Sequence, residues 1–190
     1  MVDFENDIKK CVAVLQQGGV ILYPTDTVWG LGCDALNAAA VEKVFEIKQR
    51  PKEKSMIVLL ADAKDILPYV AAPHPDIIAI VEAFEQPTTV IYDNALEFPE
   101  NVIAADGSLA IRVTTDAFCK ALIKRYRRPI VSTSANLSGM PTPATFSMVD
   151  AQIVAGVDYV VQHRQDDNTI KSPSRLIKIN DEGAAQVLRG

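Results

Sequence analysis

The sequence has few of the side chains that bind metals or form cross-links. Its 190 residues include three cysteines and two histidines. Cys11, Cys33 and Cys119 are far apart and show no metal-ligand spacing, so they predict neither a disulfide framework nor a zinc site and suit a reducing compartment. With His74 and His163 as the two histidines, a histidine-rich zinc site is nearly excluded. We therefore expect no metal site built from protein side chains.

Long apolar runs and an excess of positive charge are also lacking. The apolar run at residues 56–61 is among the longest and is far too short to span a bilayer. Residues 1–7 are acidic, unlike the basic start of a secretory signal, which predicts a cytoplasmic protein without membrane contact. The net charge of −5 argues against broad RNA binding, because proteins that grip RNA over a wide surface are usually basic.

The pattern of apolar residues predicts one globular α/β domain over residues 1–190. Periods typical of helices and of strands alternate along the chain, which favours a sheet that is partly parallel and partly antiparallel with flanking helices. We predict helices at 6–17, 37–50, 75–85, 115–126 and 147–154. We predict strands at 20–23, 56–60, 88–92, 109–113, 130–132, 159–162, 175–179 and 186–188, the last two joined by a turn at 181–183.

A polar segment rich in hydroxyl groups and glycine follows the first predicted strand. Residues 23–32 read YPTDTVWGLG, and this combination suits either a small polar ligand near the backbone or a tight turn. The same segment contains G-x-G-x-x-A from Gly30. We discount a dinucleotide site, because in that motif the first glycine directly follows the strand and here residues 24–29 intervene.

Two basic features are candidates for binding anions. Residues 48–54 read KQRPKEK, and Pro51 should end the helix so that Lys48 and Arg50 are free to point at one ligand. Cations that complement a helix dipole are the alternative. Arg112 lies on one face of a predicted strand with Ala110 and Thr114, and needs either a ligand carboxylate or a structural aspartate as its partner.

A cluster of hydroxyls and an amide ends the buried strand near residue 132. Residues 132–139 read STSANLSG, and such donors at the carboxyl end of a strand suit phosphate or carboxylate oxygens. A serine hydrolase would need a histidine base, and neither histidine lies in a recognisable signature. The basic run at 124–128 is better explained as a solvated helix end than as an RNA site.

These segments, in this order, resemble the YrdC family of threonylcarbamoyl-adenylate synthases. The resemblance rests on YPTDTVWGLG, K-x-R at Lys48 and Arg50, I-R-V at 111–113, STSANLSG, P-S at 173–174 and the late Arg189, and it extends from about residue 20 to the end of the chain. It implies a twisted mixed sheet around an open, basic cavity. It also implies synthesis of threonylcarbamoyl-adenylate from L-threonine, bicarbonate and ATP, the first step of a tRNA modification.

The resemblance also implies roles for individual residues. It implies that Lys48 and Arg50 take part in catalysis. The residues implied to bind L-threonine are Thr27, Arg112, Ser132 and Ser174. The residues implied to bind ATP are Arg50, Lys54, Ser108, Ser134, Asn136, Thr142 and Arg189. Mg²⁺ would then be held by phosphates and water, and the partners would be downstream threonylcarbamoyl-transfer proteins, with weak and local tRNA contact at most.

Three positions depart from the family pattern. Lys54, Leu59 and Arg175 stand where the family usually has asparagine, histidine and threonine, and the first two leave the contacts expected there in doubt. The chain also ends without the second domain of longer relatives. An accessory or RNA-binding protein of the same fold is the alternative function, and the intact K-x-R and S-x-N motifs argue against it.

Overall fold

The fold was analysed on a computed structural model, which describes residues 4–49, 51, 56–180 and 182–189. Within these ranges the chain forms five α-helices: α1 (Glu5–Gln16), α2 (Ala38–Lys48), α3 (Ile77–Glu82), α4 (Ala117–Tyr126) and α5 (Ala151–Gly156). Two short 3₁₀ helices cover Ala63–Tyr69 and Phe146–Met148. No helix in the described ranges is long and apolar enough to cross a membrane.

Nine strands among the described residues form one sheet. They are β1 (Ile21–Tyr23), β2 (Gly30–Gly32), β3 (Ile57–Leu60), β4 (Thr88–Tyr92), β5 (Leu109–Val113), β6 (Ile130–Ser134), β7 (Tyr159–Val160), β8 (Arg175–Ile179) and β9 (Ala185–Arg189). Their order across the sheet is β7-β1-β2-β6-β3-β5-β4-β8-β9. Three neighbouring pairs are parallel (β1/β7, β3/β5 and β4/β8), and the other five are antiparallel. The predicted mixed sheet is confirmed.

Local sequence signals explain where the second helix begins and ends. Asn37 has extended backbone angles, and its side-chain oxygen accepts hydrogen bonds from the backbone N–H groups of Ala39 and Ala40. This is the usual capping geometry, and it satisfies two N–H groups that have no partner within the helix. The helix ends at Lys48 because Gln49 adopts the left-handed conformation. Lys48 is thereby placed at the start of the loop that carries the K-x-R motif.

The core lies against the middle of the sheet and is built from aliphatic side chains. Ile8, Cys11 and Leu15 form the buried face of α1, as their helical spacing predicts, and the helix packs on α4 and β1. The central strands β3 and β6 bury most of their side chains completely. A core of this kind fixes the sheet, so polar side chains at its strand ends are held by a rigid scaffold.

Three elements differ from the sequence-based prediction. The segment predicted as a loop after β1 contains the strand β2, and residues 63–69, to which no element was assigned, form a 3₁₀ helix. The single helix predicted at 147–154 is instead a 3₁₀ helix at Phe146–Met148 followed by α5, which begins after Asp150, because the Asp150 side chain caps the Gln152 N–H group. Strand β2 reads Gly-Leu-Gly and has little intrinsic preference for a strand. Long-range pairing stabilises it instead, because Gly30 lies opposite both Tyr23 and Ser134.

Candidate active site

The described residues line a pocket of about 200 Å³ over the central strands. Its floor is formed by β2, β6, β3 and β5, and its sides by the segments around residues 27, 142, 173 and 189. Gly30 keeps this floor open, because a Cβ atom there would lie 3.3 Å from the Thr133 carbonyl and 3.5 Å from the Ser132 hydroxyl. Two of the lining residues are arginines, and none of those in the described ranges is acidic. The pocket therefore suits an anionic ligand.

The pocket brings together most of the residues singled out in the sequence. All four residues expected to hold threonine line it: Thr27, Arg112, Ser132 and Ser174. Three of those expected to hold ATP line it as well: Ser134, Thr142 and Arg189. These residues come from six separate segments of the chain, so their convergence depends on the fold and not on proximity in sequence.

Arg112 is the more buried of the two arginines that line the pocket, and it forms an ion pair with Asp26. Its side chain is 4% exposed, and its Nη2 atom lies 3.3 Å from Oδ1 of Asp26, which is 8% exposed. The second carboxylate oxygen of Asp26 accepts a hydrogen bond of 3.2 Å from the Thr114 hydroxyl. The Nε atom of Arg112 is buried without a hydrogen-bond partner among the described residues. Asp26 is thus the structural aspartate considered from the sequence, and because Arg112 also lines the pocket, a ligand carboxylate remains compatible as a second partner.

Hydrogen bonds fix the hydroxyl side of the pocket. The Ser174 and Thr89 hydroxyl oxygens are 2.7 Å apart, and the Ser174 carbonyl accepts a bond of 3.0 Å from Nη2 of Arg189. On the opposite side the Thr27 hydroxyl lies 3.0 Å from the Thr25 hydroxyl, which donates to the Val28 carbonyl at 2.8 Å. Most of these groups are positioned before any ligand binds, which lowers the entropic cost of binding.

Lys48 departs from the expectation that it is free to point at a ligand. The residue is 1% exposed, and its Nζ atom donates to the backbone carbonyls of Ser134 and Asn136, the latter at 2.7 Å. Its own carbonyl accepts a hydrogen bond of 2.8 Å from the Ser138 N–H group. Lys48 thus stabilises the conformation of the S-x-N loop through these two hydrogen bonds. The loop folds over the ammonium group through contacts that are distant in sequence, so the local pattern could not reveal the burial.

The other predicted site residues lie elsewhere or are not described. Arg50 and Lys54 lie outside the described residues. Ser108 and Asn136 are not among the lining residues of the pocket. The Ser108 N–H group bonds to Asp106, and the Asn136 amide donates to the carbonyls of Leu137 and Met140. Their roles in ATP binding stay predictions.

Sequence reasoning did not assign roles to Asp26 and Thr89. Asp26 stands inside the YPTDT segment. The signal that could have found it is Arg112, an arginine in an apolar strand, which needs an acidic partner somewhere in the chain. Thr89 carried no signal of its own, because a threonine in a strand is ordinary. Arg175, which departs from the family pattern, lies 5.7 Å over the Phe84 ring and does not line the pocket. It therefore does not alter the lining of the pocket directly.

Burial also keeps nearby titratable groups neutral. Desolvation raises the pKa of Tyr23 well above its usual value, and its hydroxyl donates to the Val131 carbonyl at 3.3 Å. Burial likewise raises the pKa of the Cys119 thiol. No group of three or more His, Cys, Asp or Glu residues in the described ranges could hold a metal ion. In the described part of the pocket the available groups are arginines, hydroxyls and backbone amides, which bind and orient a ligand but include no acid–base pair.

Comparison with known proteins identifies the family of this fold and pocket. A family model described as "Telomere recombination", for the Sua5, YciO and YrdC proteins, matches residues 13–190. The chain belongs to the Sua5/YciO/YrdC family. A threonylcarbamoyl-AMP synthase of Xanthomonas euvesicatoria pv. vesicatoria (strain 85-10) is 37% identical over 189 residues, covering 96% of this chain and 97% of that protein.

Two solved structures of the family have the same fold. P. abyssi Sua5 complexed with L-threonine superimposes with a TM-score of 0.84 at 24% identity, and the match covers 97% of this chain and 54% of that longer one. E. coli YciO superimposes with a TM-score of 0.82 at 22% identity, covering 97% of this chain and 89% of that one. The open mixed sheet with flanking helices is therefore the architecture of the family.

Proposed function

We propose that this protein is an L-threonylcarbamoyladenylate synthase, which joins L-threonine, bicarbonate and ATP and releases pyrophosphate. The observation that carries the proposal is the convergence of Thr27, Arg112, Ser132 and Ser174 on one pocket beside Ser134 and Arg189. The relative from Xanthomonas, which matches nearly end to end, bears the name of this activity. The accessory or RNA-binding alternative has no comparable support.

Threonine binds at the inner end of the pocket. Its carboxylate is held by the guanidinium of Arg112, which lines the pocket, through the charge-assisted hydrogen bonds that arginine offers to carboxylates. The hydroxyls of Thr27, Ser132 and Ser174 are available for the ammonium and hydroxyl groups of the amino acid. A hydrogen-bonding site of this kind discriminates against an analogue that lacks the hydroxyl group, because its own polar groups would then be left unpaired.

The nucleotide binds on the side of Arg189, Ser134 and Thr142. Arg189 supplies positive charge to the phosphates, and we assign the same role to Arg50 and Lys54 of the basic segment. Lys48 maintains the S-x-N loop that presents Ser134. Mg²⁺ would enter with the nucleotide, coordinated by phosphate oxygens and water, and would neutralise part of the phosphate charge.

The chemistry then follows from orientation. The ammonium group of threonine first gives up its proton to solvent. The neutral amine then attacks the carbon of bicarbonate, water leaves, and a carbamate forms. A carbamate oxygen attacks the α-phosphorus of ATP, and the bond to the bridging oxygen breaks with pyrophosphate as the leaving group. No protein nucleophile is needed, so the residues act by alignment and by stabilising charge on the phosphoryl oxygens.

Pyrophosphate release measured with each substrate omitted in turn tests the proposal. We expect release that requires L-threonine and bicarbonate together, and an adenylate of the matching mass in the product mixture. Serine and valine serve as controls for the methyl and hydroxyl groups of the substrate. Equal turnover of ATP without threonine would reject the assignment. Downstream threonylcarbamoyl-transfer proteins are the proposed consumers of the product, in the cytoplasm, and residues 1–190 are proposed to act as one domain.

A further inference from the structure

Two hydroxyls of the substrate pocket are each bonded to a threonine that does not line the pocket. The Ser174 hydroxyl lies 2.7 Å from the hydroxyl of Thr89. The Thr27 hydroxyl lies 3.0 Å from the hydroxyl of Thr25. Thr89 and Thr25 are both buried, and neither is among the lining residues. The other partners of these two threonines decide the direction of each bond, because a hydroxyl has one proton to donate.

Thr89 lies beneath Ser174, on the face of the sheet that carries Arg112. Thr89 precedes Val90, which pairs with Ile111 of the antiparallel strand β5. Continued by one residue, this register brings Thr89 opposite Arg112, and opposed residues direct their side chains to the same side of a sheet. Thr89 is fully buried, whereas Ser174 lines the pocket, so Ser174 lies between Thr89 and a ligand. Ser174 and Arg112 therefore border the same part of the pocket.

The surroundings of Thr89 fix the direction of its bond to Ser174. Within the described part of the chain, the only hydrogen-bond partner of the Thr89 hydroxyl is the Ser174 hydroxyl. If Ser174 were the donor, the proton of Thr89 would be buried without an acceptor, which is costly. Thr89 is therefore the donor. The proton of Ser174 is then left for an acceptor in the pocket.

The hydroxyl of Thr25 sets the opposite direction at Thr27. It donates to the Val28 carbonyl at 2.8 Å and accepts a hydrogen bond of 3.0 Å from the Thr27 N–H group. Because the proton of Thr25 is already used, the Thr27 hydroxyl is the donor in the contact between the two side chains. Thr27 therefore offers lone pairs to a ligand, whereas Ser174 offers a proton.

We propose that Thr89 is a positioning residue, which directs the Ser174 proton to the carboxylate of the bound amino acid. Arg112 and Ser174 both donate to the carboxylate, and Thr27 accepts from the amine on the opposite side of the pocket. The proposal rests on the proposed function, which supplies threonine as the ligand.

The two proton directions orient the amino acid, because a carboxylate only accepts hydrogen bonds and an ammonium group only donates them. An amine that reaches the pocket the other way round would meet the donors Arg112 and Ser174. Since Thr27 accepts from an N–H bond, the lone pair of the neutral amine stays available for the attack on bicarbonate. Thr89 itself touches no substrate atom and acts through Ser174.

Thr89→Val tests the proposal, because it removes the hydroxyl and nearly keeps the shape of the side chain. We expect the KM for threonine in pyrophosphate release to rise about three- to tenfold, equivalent to the loss of one hydrogen bond, with kcat and the KM for ATP changed by less than about twofold. Thr89→Ser keeps the hydroxyl and should restore threonine binding. Thr88→Val is the matched control, since Thr88 is a buried neighbour whose hydroxyl donates to the Gln86 carbonyl and which lies outside the pocket.

Two fragments of threonine test the orientation without depending on activity. (R)-3-Hydroxybutyrate retains the carboxylate and lacks the amine, and (R)-1-aminopropan-2-ol retains the amine and lacks the carboxylate. In titrations followed by ligand-observed NMR, Thr89→Val should weaken the binding of threonine and of the hydroxy acid, and should leave that of the amino alcohol within about twofold. Equal weakening of both fragments would mean that Thr89 only supports the shape of the pocket.

A double-mutant cycle with Ser174→Ala shows whether Thr89 acts through Ser174. Once the Ser174 hydroxyl is absent, Thr89→Val should cause no further loss of threonine affinity, and additive losses would overturn the proposal. If Thr89→Val does not fold, Thr89→Ala takes its place in the cycle. Threonine binding that does not respond to Thr89 rejects this inference alone. A wild-type protein that binds no threonine rejects the proposed function as well.

Discussion

Replacing Arg112 by lysine separates its role in binding from its role in the scaffold. The substitution retains the positive charge beside Asp26 and removes the forked donors of the guanidinium. If the guanidinium holds the threonine carboxylate, at least one charge-assisted hydrogen bond is lost, at a cost of about 1.5–3 kcal/mol. This corresponds to a roughly ten- to hundredfold weaker affinity for threonine. ATP affinity should be nearly unchanged, because we propose that the nucleotide binds on the side of Arg189.

The ion pair with Asp26 sets the expected stability of the variant. Both side chains are less than a tenth exposed, so removing one charge leaves the other buried and uncompensated. Asp26→Asn creates this situation and should destabilise the protein by up to about 3–5 kcal/mol. Arg112→Lys keeps a cation near Asp26 and should destabilise it less than Asp26→Asn does.

Calorimetric titration with threonine and a melting curve without ligand measure both effects on one sample. Arg128→Lys is the control for the chemical change itself, since Arg128 pairs with Asp34 away from the pocket. A lower Tm together with unchanged threonine affinity in Arg112→Lys would show that the arginine serves the scaffold alone. Weaker threonine binding in the control as well would mean that the effect is not specific to the pocket.

Three further perturbations test other parts of the structure. Lys48→Ala should reduce turnover at least about a hundredfold, and should also lower the Tm, because two backbone carbonyls lose their buried donor; near-normal turnover would contradict a role for the loop. Gly32→Ala should destabilise the protein by about 1–3 kcal/mol, because the new methyl group would lie 2.6 Å from the Tyr23 ring; unchanged denaturant unfolding would contradict this close contact. The three cysteines are buried, and burial raises the pKa of the Cys11 thiol to about 12, so at pH 8 the thiols should stay protonated and react with a thiol reagent only after unfolding.

The sequence predicted the strands better than the contacts of the site. The bounds of β4, β5 and β8 agree with the prediction, even though the pairing of β8 with β9 shifts register between Leu176 and Ile177. Strand β2 was missed, since two of its three residues are glycines and its pairing partners are distant. The local sequence carries information on hydrophobic periodicity and on helix caps. The pairing of strands that are distant in sequence depends on the whole fold and leaves no local signal.

The same distinction explains why the burial of Lys48 could not be predicted from its motif. The chain order of the motifs indicated which residues belong together, and the fold places seven of them around one pocket. Lys48 looked like an exposed cation at a helix end, but the S-x-N loop, nearly ninety residues further along the chain, supplies the two carbonyls that bury it. The spacing within the K-x-R motif therefore does not predict that this loop buries Lys48.

The arrangement of charge in the pocket explains how a protein of net charge −5 can offer a site to anionic groups. The buried arginine of the pocket, Arg112, is held by the carboxylate of Asp26, and the guanidinium of Arg189 is held by the Ser174 carbonyl. The carboxylate makes burial of the guanidinium tolerable, and it fixes the direction in which the remaining donors point. A free lysine at these positions would supply charge without direction. Binding then depends on the geometry of a few paired arginines, so the overall charge of the surface can remain negative.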